Sequence, residues 1–300
     1  MEIISSDGSA SITARGVCWS TSPNPTIANN QTINGIGTGE FTSSIYALHE
    51  GTTYYVRAYA TNSVGTSYGN ELILKTYTGS VMDIERNDYN TIRIGNQVWM
   101  AENLRTTKYS DYTAIPLITD AAAWATLSTP GYCRYNNDAA IYKATYGASY
   151  NWYAMDAASN GGKNVCPTGW HIPTDAEWTI LTDYLIENGY GYQGSGSDIA
   201  KSMAAGSGWS IFTTAGTIGN DQASNNSNGI TALPGGARDY DGTFGNISQL
   251  CTLLNYGGWW SATEFSDGSV WSRSLYFNDI VLHWAGDIKA NGLSVRCLKD

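Results

Sequence analysis

The chain has 300 residues, with 14% charged, 12% aromatic, 33 Gly and a formal net charge of −10. That length fits two domains of about 150 residues each. So many aromatics exclude a disordered chain, and so much Gly with so few charges excludes a coiled coil. The negative field opposes nucleic acid and anionic lipid, and no run of Lys or Arg offsets it. No apolar stretch approaches the ~18 residues needed to cross a bilayer, so no direct membrane insertion is expected.

Residues 1–77 read as strands throughout. Ile12 to Trp19, Phe41 to Leu48, Thr53 to Thr61 and Leu72 to Thr76 are rich in β-formers. In 53–61, Tyr54, Val56, Ala58 and Ala60 alternate with Tyr55, Arg57 and Tyr59. Turn residues fall at Ser6-Asp7-Gly8, Asn34-Gly35 and Val64-Gly65-Thr66. Short strands at this spacing predict a β-sandwich. Only Glu2-Ile3-Ile4 precedes the first turn, so the usual first strand is expected to be missing. Composition then changes: ten of the 11 Trp lie beyond residue 80. A linker is placed at 78–82 and a second domain at 83–300.

The second domain reads as mixed. Thr91 to Met100 predicts a hairpin turning at Gly95-Asn96. Thr119 to Leu127 predicts a short helix before Pro130. Thr174-Asp175-Ala176-Glu177 is a capping box, followed by Trp178, Leu181 and Leu185 at i, i+3 and i+7. It predicts a helix over 175–187, closed by Gly189. Ser197-Asp198 opens a shorter one ending near Gly206. Beyond it lies Gly- and Asn-rich loop, then strands at 258–263, 270–277, 280–284 and 293–298. Few helices on a loop-heavy antiparallel sheet make an α+β domain.

Leu48-x-x-Gly51-Thr52-Thr53-Tyr54-Tyr55-Val56-Arg57-Ala58-x-Ala60-x-Asn62-x-x-Gly65 resembles a late strand of fibronectin type III domains. Gly16 to Thr21 and Tyr68-Gly69-Asn70 resemble a variant found in Bacteroidetes surface proteins. The resemblance covers about 1–77 and implies an immunoglobulin-like spacer. A second one covers about 83–300. Its blocks are Gly95-Asn96-Gln97-Val98-Trp99-Met100-Ala101-Glu102-Asn103-Leu104, Cys166-Pro167-Thr168-Gly169-Trp170-His171-Ile172-Pro173-Thr174-Asp175-Ala176-Glu177-Trp178 and Trp259-Trp260-Ser261-Ala262-Thr263-Glu264, among others. They resemble the Fibrobacter succinogenes major paralogous domain. That family is similar to the C-type-lectin-like fold of the formylglycine-generating-enzyme type. The resemblance implies fold and leaves the chemistry open. It also implies an extracellular or cell-surface protein, whose signal or anchor is absent from this chain.

Cys166 precedes the main helix and Cys297 lies in the closing strand, places where a staple joins. A Cys166–Cys297 disulfide is therefore expected in an oxidising compartment. Thiol catalysis is not expected, since no base or cation neighbours either in sequence. Cys133 and Cys251 are left either paired or buried and reduced, and Cys18 as a buried thiol. No HExxH, nucleophile elbow or phosphate loop is present, so the chain is read as non-enzymatic. Asp239-Tyr240-Asp241-Gly242-Thr243 supplies two carboxylates, enough for an Asx turn or at most a structural calcium. No other cofactor is expected.

Residues 264–289 are different in kind. Trp271, Arg273, Leu275 and Phe277 alternate with Ser272, Ser274, Tyr276 and Asn278, so one face packs inward, with Trp271, Leu275 and Val281 as core candidates. Trp, Tyr, Asn, Ser and Asp are the residues of adaptable binding surfaces. The candidate ligand-binding residues are Phe265, Asp267, Ser269, Ser272, Arg273, Ser274, Tyr276, Asn278, His283, Trp284 and Asp287. The expected ligand is a protein or glycan on a host, phage or neighbouring cell. Some lectin-like proteins of this kind are diversified by retroelements near the gene's end. The alternatives are a structural subunit of a fimbria or surface layer and, third, an enzyme related to formylglycine-generating oxidases.

Overall fold

The computed structural model describes residues 2–46, 48–194, 196–245, 251–266 and 268–300. It divides into two compact units, 1–77 and 78–300.

The first unit holds strands β1 (Glu2–Ile4), β2 (Ala14–Ser20), β3 (Asn30–Gln31), β4 (Gly39–Phe41), β5 (Thr53–Thr61) and β6 (Thr66–Lys75). They form two antiparallel sheets, β3-β2-β5-β6 and β1-β4. Strand β5 covers the residues that its alternation predicts. The first strand, expected to be missing, is present: Glu2–Ile4 pairs with Gly39–Phe41. Three residues are too few to display an alternation. Of the strand expected over 41–48, only its start is realised, at Phe41. Val17, Cys18, Phe41, Tyr54 and Tyr59 are buried. Burial pushes the Cys18 thiol above its ordinary pKa, so it packs as a small apolar group.

The second unit opens with β7 (Gly79–Met82), where the sequence suggests a linker. Its small residues pair along β8 (Asp88–Ile94), and β8 turns into β9 (Gln97–Met100). Ile94 pairs with Gln97, so the turn has two residues, and Gly95 takes φ 57° there. A central sheet runs β12-β16-β9-β8-β7, with β12 at Trp170–His171 and β16 at Leu298–Lys299. Short strands β10 (Tyr132–Cys133) and β11 (Ser149–Tyr150) pair with each other. A three-stranded meander follows: β13 (Tyr256–Ser266), β14 (Ser269–Tyr276) and β15 (His283–Ile288).

Five α-helices accompany these sheets among the described residues: α1 (Ala121–Ala125), α2 (Ala139–Tyr146), α3 (Ala157–Asn160), α4 (Asp175–Glu187) and α5 (Ala200–Met203). Helix α4 matches its sequence signature. Thr174 and Glu177 close the capping box, and Trp178, Leu181 and Leu185 are buried. Asp120 caps α1, its carboxylate accepting from the Ala123 N–H. Helices α2 and α3 start at Asp138 and Asp156, whose carboxylates accept backbone N–H groups of their first turns.

The closing segment 293–298 is fully buried. It forms no long strand. Leu293 bonds to Tyr150, Ser294 to Gly258 and Trp260, Val295 to Leu104, and Cys297 to Met100. It thus ties β11, β13 and β9 together one bond at a time. Cys297 is joined to Cys166. Cys133 is buried and Cys251 half-buried, and neither is in a disulfide. Burial pushes both thiols up to about 12.

Indoles fill this core. Trp99 and Trp178 pack at 4.7 Å between ring centroids. Trp259 and Trp260 are buried; Trp259 donates to Asn103 Oδ1 at 2.8 Å and Trp260 to the Tyr150 carbonyl at 2.8 Å.

Two stability tests follow from this core. The disulfide spans 131 residues, a loop for which chain entropy gives about 3–5 kcal/mol. The double variant C166S/C297S should lose stability of that order in urea titration, and an unchanged midpoint would contradict the staple. His171 lies between Glu177 (Nε2–Oε1 3.0 Å) and Asp300 (Nδ1–Oδ1 2.6 Å). Burial disfavours its charged form, but the hydrogen bonds to Asp300 and Glu177 outweigh that and raise its pKa above the ordinary histidine value. A raised pKa stabilises the fold below the unfolded-state value and ceases to do so as pH rises through the folded value. The Tm advantage of the native chain over H171Q should therefore shrink as pH rises above about 6.5. A pH-independent difference would rule out this ion pairing.

Candidate functional site

Helix α4 has two stripes. One is the buried Trp178, Leu181 and Leu185. The other is Asp175, Thr179, Thr182, Asp183 and Ile186, which recur at helical spacing on one side. That second stripe faces the β14–β15 hairpin across a groove of about 640 Å³. The hairpin side supplies Trp271, Arg273, His283 and Trp284. In register, Arg273 lies opposite Trp284 and Trp271 opposite Gly286, so these positions share one face of the sheet.

Both faces of β14 are largely buried: Leu275 packs in the core as the alternation suggests, and the serine face, expected outward, is buried as well. Ser272 and Ser274 are buried, whereas Trp271 is only half-buried and lines the groove. The serine goes inward because its hydroxyl finds a partner: Ser272 Oγ donates to Asp287 Oδ2 at 2.5 Å. Asp287 also accepts from Asn291 at 3.0 Å and is half-buried. Trp271 turns outward against Phe265, ring to ring at 4.4 Å. Gly286 makes that pairing possible, since a Cβ there would lie 2.3 Å from the Phe265 ring. Phe265 is 52% exposed and Trp284 63% exposed.

Arg273 is 4% exposed, and its Nη2 meets Asp175 Oδ1 at 2.6 Å. The pair links the first turn of α4 to the middle of β14 and leaves that end of the groove electrically neutral. Tyr276 is half-buried between Tyr256 and His283, at 5.2 and 5.3 Å. His283 Nε2 pairs with Asp279 Oδ2 at 2.8 Å. Burial raises the Asp279 pKa, but hydrogen bonds from the Ile280 N–H and His283, with the Val281 N–H, bring it below the ordinary value. Asn278 is exposed and Ser269 half-buried, both outside the groove lining. Asp267 lies outside the described residues.

Of the candidate residues, the groove thus gathers Arg273 and Trp284; His283 borders it but lies opposite Ser274, on the other face, with its ring against Tyr276 and Asp279. Reasoning from sequence missed the wall on α4. Its signal was present: Thr179, Thr182, Asp183 and Ile186 occupy the stripe beside the apolar one. Arg238 is buried and holds the carbonyls of Gly242, Ile118 and Thr119, so it is structural. In the 239–243 turn, Asp241 accepts from the Thr243 N–H and hydroxyl, an Asx turn. Among the described residues, no three His, Cys, Asp or Glu side chains gather as a metal site. None of the described helices is long and apolar enough to cross a membrane.

A β-rich unit with short helices, closed by a buried terminal segment, is the class of domain that carries this groove. A family model, the Fibrobacter succinogenes major domain, matches residues 92–299. The match covers more than half of the chain, and the chain belongs to that family. No curated protein and no solved structure matches it.

The Asp175–Arg273 pair yields a stability prediction. D175A strands a buried guanidinium, which costs about 3–5 kcal/mol where the pair is fully buried. Asp175 is 31% exposed, so water screens part of this and about 1–3 kcal/mol is expected. Urea denaturation measures it; a loss below 0.5 kcal/mol, the range of an ordinary surface change, would show that Arg273 does not depend on this partner.

Proposed function

We propose that this chain is a non-enzymatic, adhesin-like protein of the cell surface. In this reading a fibronectin-like unit accompanies a C-type-lectin-like unit. The C-terminal face of the latter binds a protein or glycan ligand on a host, phage or neighbouring cell. The observation that carries it is the aromatic cluster Phe265, Trp271 and Trp284 at the rim of a groove. Exposed aromatics grouped together exceed what solubility requires and mark interaction sites. The lectin-like assignment is supported by the Ile172 to Trp178 segment leading into α4 and by the buried closing segment. An extracellular location is supported by the Cys166–Cys297 disulfide, since such bonds persist in oxidising compartments. Retroelement diversification is testable from the codons of residues 264–289.

The test uses the full chain on glycan and cell-surface protein arrays, beside W284A. Binding to a defined ligand is expected, and W284A should weaken it by about 2 kcal/mol, roughly thirtyfold, while near-UV circular dichroism stays unchanged. Ordered self-assembly with no array binding would favour a structural subunit and refute this reading.

A further inference from the structure

We propose that the α4–hairpin groove is a carbohydrate subsite. It takes a neutral sugar ring, with the apolar face of the ring against the indoles of Trp271 and Trp284. The inference rests on the ligand-binding reading above and narrows it to one chemical class.

Three observations point to this class. The first is the inventory of unused hydrogen-bonding groups. Thr179 and Thr182 donate to carbonyls of their own helix, and Asp175 is committed to Arg273. The indole N–H groups of Trp271 and Trp284 and the Asp183 carboxylate have no hydrogen-bond partner among the described residues. Donors and an acceptor therefore stand around one space. A sugar hydroxyl both donates and accepts, so a polyol can satisfy the whole set. A quaternary ammonium would meet Asp183 and the rings, yet would leave the indole donors unpaired. An anion would meet Asp183 in a chain of net charge −10.

The second observation is preorganisation. Phe265 packs on the Trp271 ring and Gly286 leaves room for Phe265, so one stacking surface is fixed before any ligand arrives. A fixed surface lowers the ordering cost of binding. The third is size. About 640 Å³ lies in the usual range for small-ligand pockets, about 300–1,000 Å³, and admits a short oligosaccharide.

The experiment titrates the full chain with cellotriose, mannotriose, chitotriose and lactose. Parallel titrations use choline and a sulfated disaccharide. Tryptophan fluorescence and saturation-transfer NMR report binding. At least one neutral sugar should bind, with NMR contacts from ring C–H protons. W284A should weaken it at least about tenfold, and D183N by several-fold, with the far-UV and near-UV spectra unchanged. Binding of choline or the sulfated sugar but of no neutral sugar would overturn the inference. So would sugar binding that W284A and D183N leave unaltered, or no binding by any probe. If a protein ligand is lost in W284A while no sugar binds, the ligand-binding reading stands and the carbohydrate class falls.

Discussion

The second unit depends on buried cations answering loop carbonyls. Much of this chain lies outside regular strands and helices, and a buried carbonyl there has no ladder to satisfy it. Arg296 supplies the donors: its guanidinium meets the carbonyls of Ile230, Thr231 and Met100 and the Asn103 side chain. Arg238 does the same for Ile118, Thr119 and Gly242, and lies over the Trp124 ring at 4.5 Å. Lys201 holds Asn220, Asp221 and Asn225. A guanidinium carries five donors in a rigid fork, so one residue fixes several loop segments at once. Charged residues are only 14% of the chain, yet four arginines and a lysine are buried. The charge that is scarce outside is used inside, where each unsatisfied carbonyl would cost about 1–3 kcal/mol.

That frame explains how a groove forms on a loop-rich protein. The buried stripe of α4 sets its distance from β13, where Trp178 donates to the Trp260 carbonyl. Asp175 and Arg273 then fix the same helix against β14. With both walls held from behind, the second stripe of α4 and the outer face of β14 and β15 face each other at a set spacing. Of the side chains that line the groove, Asp175 and Arg273 carry that load, with the buried Ile199 and Leu282 at its floor. The arrangement separates the side chains that fold the domain from those left exposed on the groove.

Local signals made part of this legible. The Thr174-to-Glu177 capping box and its i, i+3, i+7 stripe marked α4, because cap and burial depend on neighbours within one helix. The Gly95-Asn96 turn marked β8 and β9 for the same reason. The places of Cys166, just before α4, and Cys297, in the closing segment, pointed to the disulfide. The rest was set at long range. Helix α2 buries no side chain, so no core-facing stripe marked it. The outward turn of Trp271 depends on Phe265 and Gly286 together, and the inward turn of Ser272 depends on Asp287, 15 residues away. Arg273 and Asp175 are 98 residues apart, so no spacing in the chain joins them.

The tryptophans divide along the same line. Seven of the eight buried indoles, at 99, 124, 152, 178, 209, 259 and 260, donate their N–H to an oxygen of the protein, and Trp170 is the exception among the described residues. The bond offsets the free energy that an unpaired N–H in the core would cost. Trp271 and Trp284 have no such bond among the described residues. They sit where water can serve the N–H, and where an incoming hydroxyl can replace that water. Exposure of so large an apolar ring gives up the burial free energy the core indoles gain, about 25 cal/mol per Å². The loss is recovered only if something else covers the ring. Burial and pairing thus separate these indoles: seven complete the core through a bonded N–H, while Trp271 and Trp284 keep theirs on the groove.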